Sequence, residues 1–218
     1  MLTEEQEARV NAAVKEAEKI TSGEIFCILT QKTSTYTETP LAYGALAALL
    51  LPLALVAVGL QPWALAGWGD GEASPEAAVL AYTLMQGAVF LLTLGIVSIR
   101  PVRLLLVPEP LKRSRVRKAA FQQFLAKGLH QTRDRTGVLI FAAMDERRAE
   151  VIADEGIYGK VDSDVWTEAL EALAKGLKSK DPAGGFVEAV ALCGAVLAKH
   201  FPPKADNPNE LPDQIVTI

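Results

Sequence analysis

Three carboxylates carry the most suggestive chemistry in this chain. Asp134 stands just before an apolar run, Thr136–Met144, and Asp154 and Glu155 follow a second, alternating run, Arg148–Ala153. If the two runs pair as antiparallel strands through the polar turn Asp145-Glu146-Arg147, their outer ends meet and the three carboxylates converge at one edge. Hard oxygen donors gathered in this way suit Ca2+ or Mg2+. The alternative is a set of ordinary loop carboxylates paired with Arg133 or Arg135, since a cation beside Arg135 would meet Coulomb repulsion.

Other reactive residue types are sparse. The two histidines, His130 and His200, fall at the ends of predicted helices, where an imidazolium complements the helix dipole. Cys27 lies in a predicted strand and Cys193 in an apolar helix, positions that suit inert core thiols. Two cysteines so far apart do not form a disulfide framework. No nucleophile-elbow, HExxH, P-loop or Rossmann glycine pattern occurs. No catalytic residue is therefore assigned, and whether the chain is an enzyme stays open.

The carboxylates need a scaffold, and the pattern supplies one. Thr3 with Gln6 three residues later is a capping box that opens a helix whose apolar face is Val10, Ala13, Val14, Ala17 and Ile20. Thr21-Ser22-Gly23 stops it, and Glu24–Thr30 reads as a buried strand. Arg113 to about Leu129 has a helical apolar face with basic residues opposite. After the strand pair, a helix runs from Asp162 or Ser163 to about Lys178, and Asp181-Pro182 opens another that continues to His200. The order helix, strand, helix, strand, strand, helix, helix predicts a small α/β/α sandwich. It occupies residues 1–40 and 112–201, and residues 202–218 form an extended tail.

Between the two parts of that domain lies a different kind of sequence. The chain of 218 residues is 50% hydrophobic and 22% charged, yet no charged residue occurs from Leu41 to Gly69, or again from Ala77 to Ile99. A run of about 20 apolar residues at 1.5 Å rise spans about 30 Å, the hydrocarbon thickness of a bilayer. Leu41–Leu60 and Val79–Ile99 both meet this length, so residues 41–99 are expected to form a two-helix transmembrane hairpin interrupting the domain. Gly44 and Ala48 make a small-xxx-small pair that permits close helix packing. Pro101, Pro108 and Pro110 break up residues 100–111, which are expected to lie along the membrane surface as a connector. Trp63 and Trp68 suit an interfacial belt, and Arg100, Arg103, Lys112, Arg113 and Arg115 follow the second span. The loop between the spans holds Asp70, Glu72 and Glu76 without Lys or Arg, so the positive-inside rule puts both termini in the cytoplasm. The expected location is a bacterial inner membrane.

The segment TRDRTGVLIFAAMDERRAEVIADEGI, residues 132–157, resembles the TPM domain family, on Gly137, Val138, Leu139, Ile140, Arg147 or Arg148, and Asp154 to Gly156. Upstream, EAEKITSGEIFCILT is similar to that family's first helix and strand. The resemblance implies the sandwich fold. It also implies divalent-cation binding and acid phosphatase activity, which have been ascribed to some members, and a LemA-like membrane protein as a neighbour. Two departures fall where cation ligands would stand. Arg135-Thr136-Gly137 replaces Asp-Asn-Gly, with Asp134 displaced one position, and Gly-Tyr-Gly becomes Glu155-Gly156-Ile157-Tyr158-Gly159.

Two functions follow as expectations. One is a non-catalytic interaction or assembly module at the membrane, its partners being the bilayer and either another membrane protein or a second copy. The other is a divalent-cation-dependent, phosphatase-like enzyme using Asp134, Asp154 and Glu155. A mild net charge of −4 gives no reason to expect a nucleic-acid partner, and two spans free of ionisable side chains except Tyr43 and Tyr82 argue against a channel.

Overall fold

The computed structural model describes residues 2–60, 74–161, 163–204 and 209–218. It divides into an α/β unit, Met1–Ser34 with Glu109–Ile218, and a helical unit, Thr35–Pro108, inserted into it.

The α/β unit is built on a sheet of order β3-β2-β1-β4. Helix α1 (Glu4–Glu18) opens with the expected capping box: Thr3 Oγ1 accepts from Gln6 N, and the Gln6 side chain accepts from Thr3 N. β1 (Glu24–Thr30), apolar between its two end residues, and β2 (Gly137–Ala143) are wholly buried, as parallel neighbours covered on both faces must be. β3 (Arg148–Ala153) returns antiparallel to β2, with Val138 opposite Ala153 and Ala143 opposite Arg148.

Alternation along these strands divides the core into two layers. Ile25, Cys27, Val138 and Ile140 face α1 together with two later helices, α7 (Thr167–Ser179) and α8 (Pro182–His200). Phe26, Ile28, Leu139, Phe141 and Ile152 face α5 (Glu109–Ala126) through Val116, Ala120 and Phe124. The sandwich of the sequence reading is thus present, with one helix on one face and three on the other.

The boundaries differ in instructive ways. The prolines of residues 100–111 do not leave an irregular connector. Pro101 sits in the first turn of a short helix, α4 (Arg100–Leu106), and Pro110 in the first turn of α5, where no intrahelical N–H is needed. Pro108 separates them by holding Val107 extended. α5 accordingly starts at Glu109 rather than Arg113 and stops at Ala126, and Leu129–Gln131 is a separate 3₁₀ turn after Gly128 at φ 74°. The helix expected from Asp162 or Ser163 begins as a 3₁₀ turn, Ser163–Trp166, before α7. The tail is not merely extended: Val216–Thr217 forms β4, parallel to β1, and Ile215 N donates to Asn11 Oδ1 at 2.7 Å.

The helical unit contains α2 (Glu38–Ala57), α3 (Pro75–Ser98) and α4. Each long helix begins three or four residues before the expected span. Ser74 caps α3 by accepting from Ala77 N, with Pro75 in the first turn. α2 and α3 pack where Gly44 leaves room, since a Cβ there would stand 3.2 Å from the Phe90 ring. Tyr43 Oη donates to Leu106 O at 3.1 Å.

Three helices are long and apolar enough to cross a membrane by length and composition: α2, α3 and α8. Half of the apolar stretch of α8 is buried inside the protein, whereas only 17% and 6% of those of α2 and α3 are. α8 is a core helix whose apolar side chains are satisfied by the sheet and α1. Most of those of α2 and α3 are not covered by protein among the described residues.

Candidate functional site

The strand pair brings its outer ends together as its pattern predicts, and the 134–136 turn meets the 154–156 turn there. The approach is close: Gly156 N donates to Arg135 O at 3.1 Å, and a Cβ on Gly156 would stand 2.6 Å from that oxygen and 2.7 Å from Asp134 O. Glycine at 156 is what lets the two turns touch. Arg135 occupies left-handed backbone at φ 58°, which turns its side chain back over the strand end.

The carboxylates at this junction are committed to cations of the chain itself. Asp154, nearly buried at 4% exposure, accepts from Arg135 Nε at 2.8 Å and Nη2 at 3.1 Å. It also accepts from Glu155 N at 2.7 Å, capping the short helix α6 (Glu155–Tyr158). Glu155 is exposed and lies 3.4 Å from Arg135 Nη2. Asp134 points elsewhere, its Oδ2 accepting from Lys204 Nζ at 2.6 Å. Asp154 and Glu155 are thus brought together around Arg135, with Asp134 outside the group. Among the described residues no cluster of three or more His, Cys, Asp or Glu side chains is arranged to hold a metal. The donor set is hard and the right type for Ca2+ or Mg2+, but an ion at Asp154 would have to displace the guanidinium that now bridges it.

Arg135, Asp154 and Glu155 form one end of a larger feature. A cleft of about 960 Å3 runs along the outer side of β3. One wall is α5, whose residues at four-residue spacing (Arg113, Arg117, Phe121, Leu125) line it together with Lys118. Across from it stand Tyr158, Trp166 and Leu170, and His130 also lines the cleft, its ring 6.5 Å from that of Phe124. Glu150 belongs to the floor. Burial pushes its carboxyl pKa up, against the pull of Arg117, Arg113 and Arg148. Arg148 is paired with Glu109, which its own hydrogen bonds from Lys112 and Arg148 hold at a pKa of about 2.

The other singled-out residues are placed as follows. Arg113 is exposed and lines the cleft, while Lys112 pairs with Glu109 at 2.9 Å. Arg115 is on the same helix and half-buried. Arg100 and Arg103 belong to α4 in the helical unit. Trp63 and Trp68 lie outside the described residues. Cys27 and Cys193 are buried, and burial pushes both thiols up, that of Cys193 to about 12, so neither is a ready nucleophile. The cleft itself was not anticipated from the sequence. Its signal was present in the alternation of basic and apolar residues at 113, 117, 121 and 125, which looked like a solvated helix face.

Residues 101–196 match the family model of the TPM domain. This chain carries a TPM domain. The match begins in α4 and ends in α8, so it takes in the strand pair, the Arg135–Asp154 junction and the cleft. The NMR structure of BA42 protein from the psychrophilic bacterium Bizionia argentinensis is similar in fold. It has a TM-score of 0.57 and 21% sequence identity, covering 100% of this chain and 95% of that one. No curated protein matches the sequence.

Proposed function

We propose that this protein is a membrane-held binding module: its TPM domain presents the α5–β3 cleft to another macromolecule, and α2 and α3 span a bacterial inner membrane with both chain termini in the cytoplasm. The observation that carries the reading is the state of the carboxylates. Arg135 holds Asp154 and Glu155, and Lys204 holds Asp134, so these three candidate cation ligands are spent on internal pairs. What faces outward beside them is a cleft of basic and apolar side chains suited to contact rather than to chemistry. The uncovered apolar faces of α2 and α3 support the membrane assignment, and the basic residues that follow α3 support the orientation.

A photo-crosslinker in place of Arg117, in the full chain in native membranes, tests the binding role. A discrete protein adduct, of the mass of a partner or of a second copy, is the expected result. Adducts to lipid alone, or none, contradict it. The phosphatase-like alternative makes a different demand: phosphatase activity that needs Ca2+ or Mg2+ and is lost on Asp154→Ala.

A further inference from the structure

The hydrogen-bond directions along β3 can be worked out from its pairing. In an antiparallel ladder, successive residues direct their N–H and C=O alternately toward the neighbouring strand and away from it. Asp154 N donates to Gly137 O at 2.9 Å, which fixes the phase: residues 148, 150, 152 and 154 bond inward to β2. Ala149, Val151 and Ala153 therefore direct their backbone groups to the outer edge, where no strand lies among the described residues. That edge is six residues long, with no proline, and the cleft runs along its Glu150–Ala153 part. The opposite edge of the sheet is closed by β4, which the tail supplies.

The two sides of the cleft differ in chemistry. On the side to which Glu150 and Ile152 point stands α5, with Arg113, Arg117 and Lys118 against the carboxylate of Glu150, while Asp154 and Glu155 at the end of the cleft are paired with Arg135. On the side to which Val151 and Ala153 point stand Tyr158, Trp166 and Leu170. A strand laid beside β3 has the same pleat, so its side chains alternate between these two walls. Charge complementarity asks for acidic residues toward α5, and the opposite wall asks for apolar ones.

We propose that the outer edge of β3 binds an extended peptide segment of a partner protein as a fifth strand, one in which acidic and apolar residues alternate. Its backbone pairs with the half-buried Ala149 and Val151, Ala153 being closed off at 4% exposure; its carboxylates meet Arg113 and Arg117, and its apolar side chains fill the space beside Tyr158 and Leu170. Main-chain pairing supplies affinity, and the two unlike walls supply register and selectivity. A one-residue slip would turn every carboxylate onto the apolar wall. This rests on the binding-module reading and names the class of partner.

The probe is the blocked hexapeptide Val-Glu-Val-Glu-Val-Glu, titrated against the full chain in detergent micelles. Its counterpart carries Lys in place of Glu. The acidic peptide should bind at least about tenfold more tightly than the basic one, and Arg113→Glu with Arg117→Glu should reverse that preference. Hydrogen–deuterium exchange across Arg148–Asp154 should slow when the acidic peptide is bound. N-methylation of one alternate set of peptide amides should abolish binding while methylation of the other is tolerated; loss with the Val set marks an antiparallel strand, loss with the Glu set a parallel one. Equal binding of acidic and basic peptides overturns the proposal, as does tolerance of methylation in both sets or unchanged exchange over β3. If the peptides fail while a protein adduct still forms from position 117 in membranes, the module stands and the added strand is wrong. If both fail, both are wrong.

Discussion

Asp154→Ala separates a structural carboxylate from a metal ligand. Asp154 accepts from Glu155 N at the start of α6 and from two nitrogens of Arg135, at 4% exposure. Removing a helix N-cap of this kind costs about 1 kcal/mol. Losing a buried acceptor that also receives charge-assisted bonds adds about 1 kcal/mol more. The Arg135 side chain is 48% exposed, so water screens its half of the pair and the second figure is held to the low end. The sum, about 2 kcal/mol, corresponds to a fall of about 4–8 °C in Tm for a protein of this size. Asp154→Asn keeps a capping oxygen and should lose about half as much. The assay is thermal unfolding of the full chain in detergent, followed by circular dichroism, with and without millimolar Ca2+. The expected pattern is a clear drop for Asp154→Ala, a smaller one for Asp154→Asn, and no Ca2+ effect on any form. A Tm unchanged by Asp154→Ala, together with a Ca2+-induced rise in the wild type that the substitution abolishes, would refute the reasoning and restore the cation site.

Further predictions concern the same unit. Burial, reinforced by Glu24 and Asp213 and opposed by the Ile25 N–H bond, pushes the Glu18 carboxyl up from 4.5 to about 8. Folding therefore takes up a proton between those values, so Glu18's contribution is full below pH 4.5 and lost as pH rises through 8. Tm should fall from pH 5 to pH 8.5, and Glu18→Gln should flatten that slope; an equal slope in the variant contradicts it. A Cβ at Gly176 in α7 would stand 2.7 Å from Gly185 Cα and 2.8 Å from Asp181 O, backbone atoms that cannot step aside. Gly176→Ala should thus destabilise by about 1–3 kcal/mol despite alanine's better helix propensity, as read in a denaturant melt, and a gain in stability would be contrary. Removing residues 209–218 deletes β4 and the bonds from Leu211 N to Glu24 and from Ile215 N to Asn11, and should lower Tm by several degrees. An unchanged Tm would mean that the tail adds nothing to the sheet.

How far the sequence could be read depended on whether the determining interactions were local. The capping box at Thr3, the strands Glu24–Thr30 and Arg148–Ala153, and the Asp181-Pro182 start of α8 rest on neighbouring residues, and the structure has them at those positions. The proline-bearing stretch 100–111 misled because proline's effect depends on whether it lies in the first turn or the interior of a helix. β4 escaped because its strand character comes from pairing with β1 rather than from any run of its own. At the site, the convergence of the 134–136 and 154–156 turns followed from the hairpin alone. Pairing of the carboxylates with Arg133 or Arg135 is one of the two readings the residue types offer, and Arg135 is the partner; the left-handed backbone at residue 135 from which it reaches Asp154 has no sequence signal. Of the cleft only the α5 wall has a sequence signal, the spacing 113, 117, 121 and 125; its other walls come from β3, α6 and α7, which the fold assembles from segments distant in the chain.

The central claim, a TPM domain held at the membrane by an inserted hairpin, is tested most directly by paired topology reporters on the intact chain, one inserted at Asp70 and one fused at Ile218. The account predicts an external signal from Asp70 and a cytoplasmic signal from Ile218, both in protein that resists alkaline extraction from membranes. Signals from the same side, or release of the protein by alkali, would contradict it.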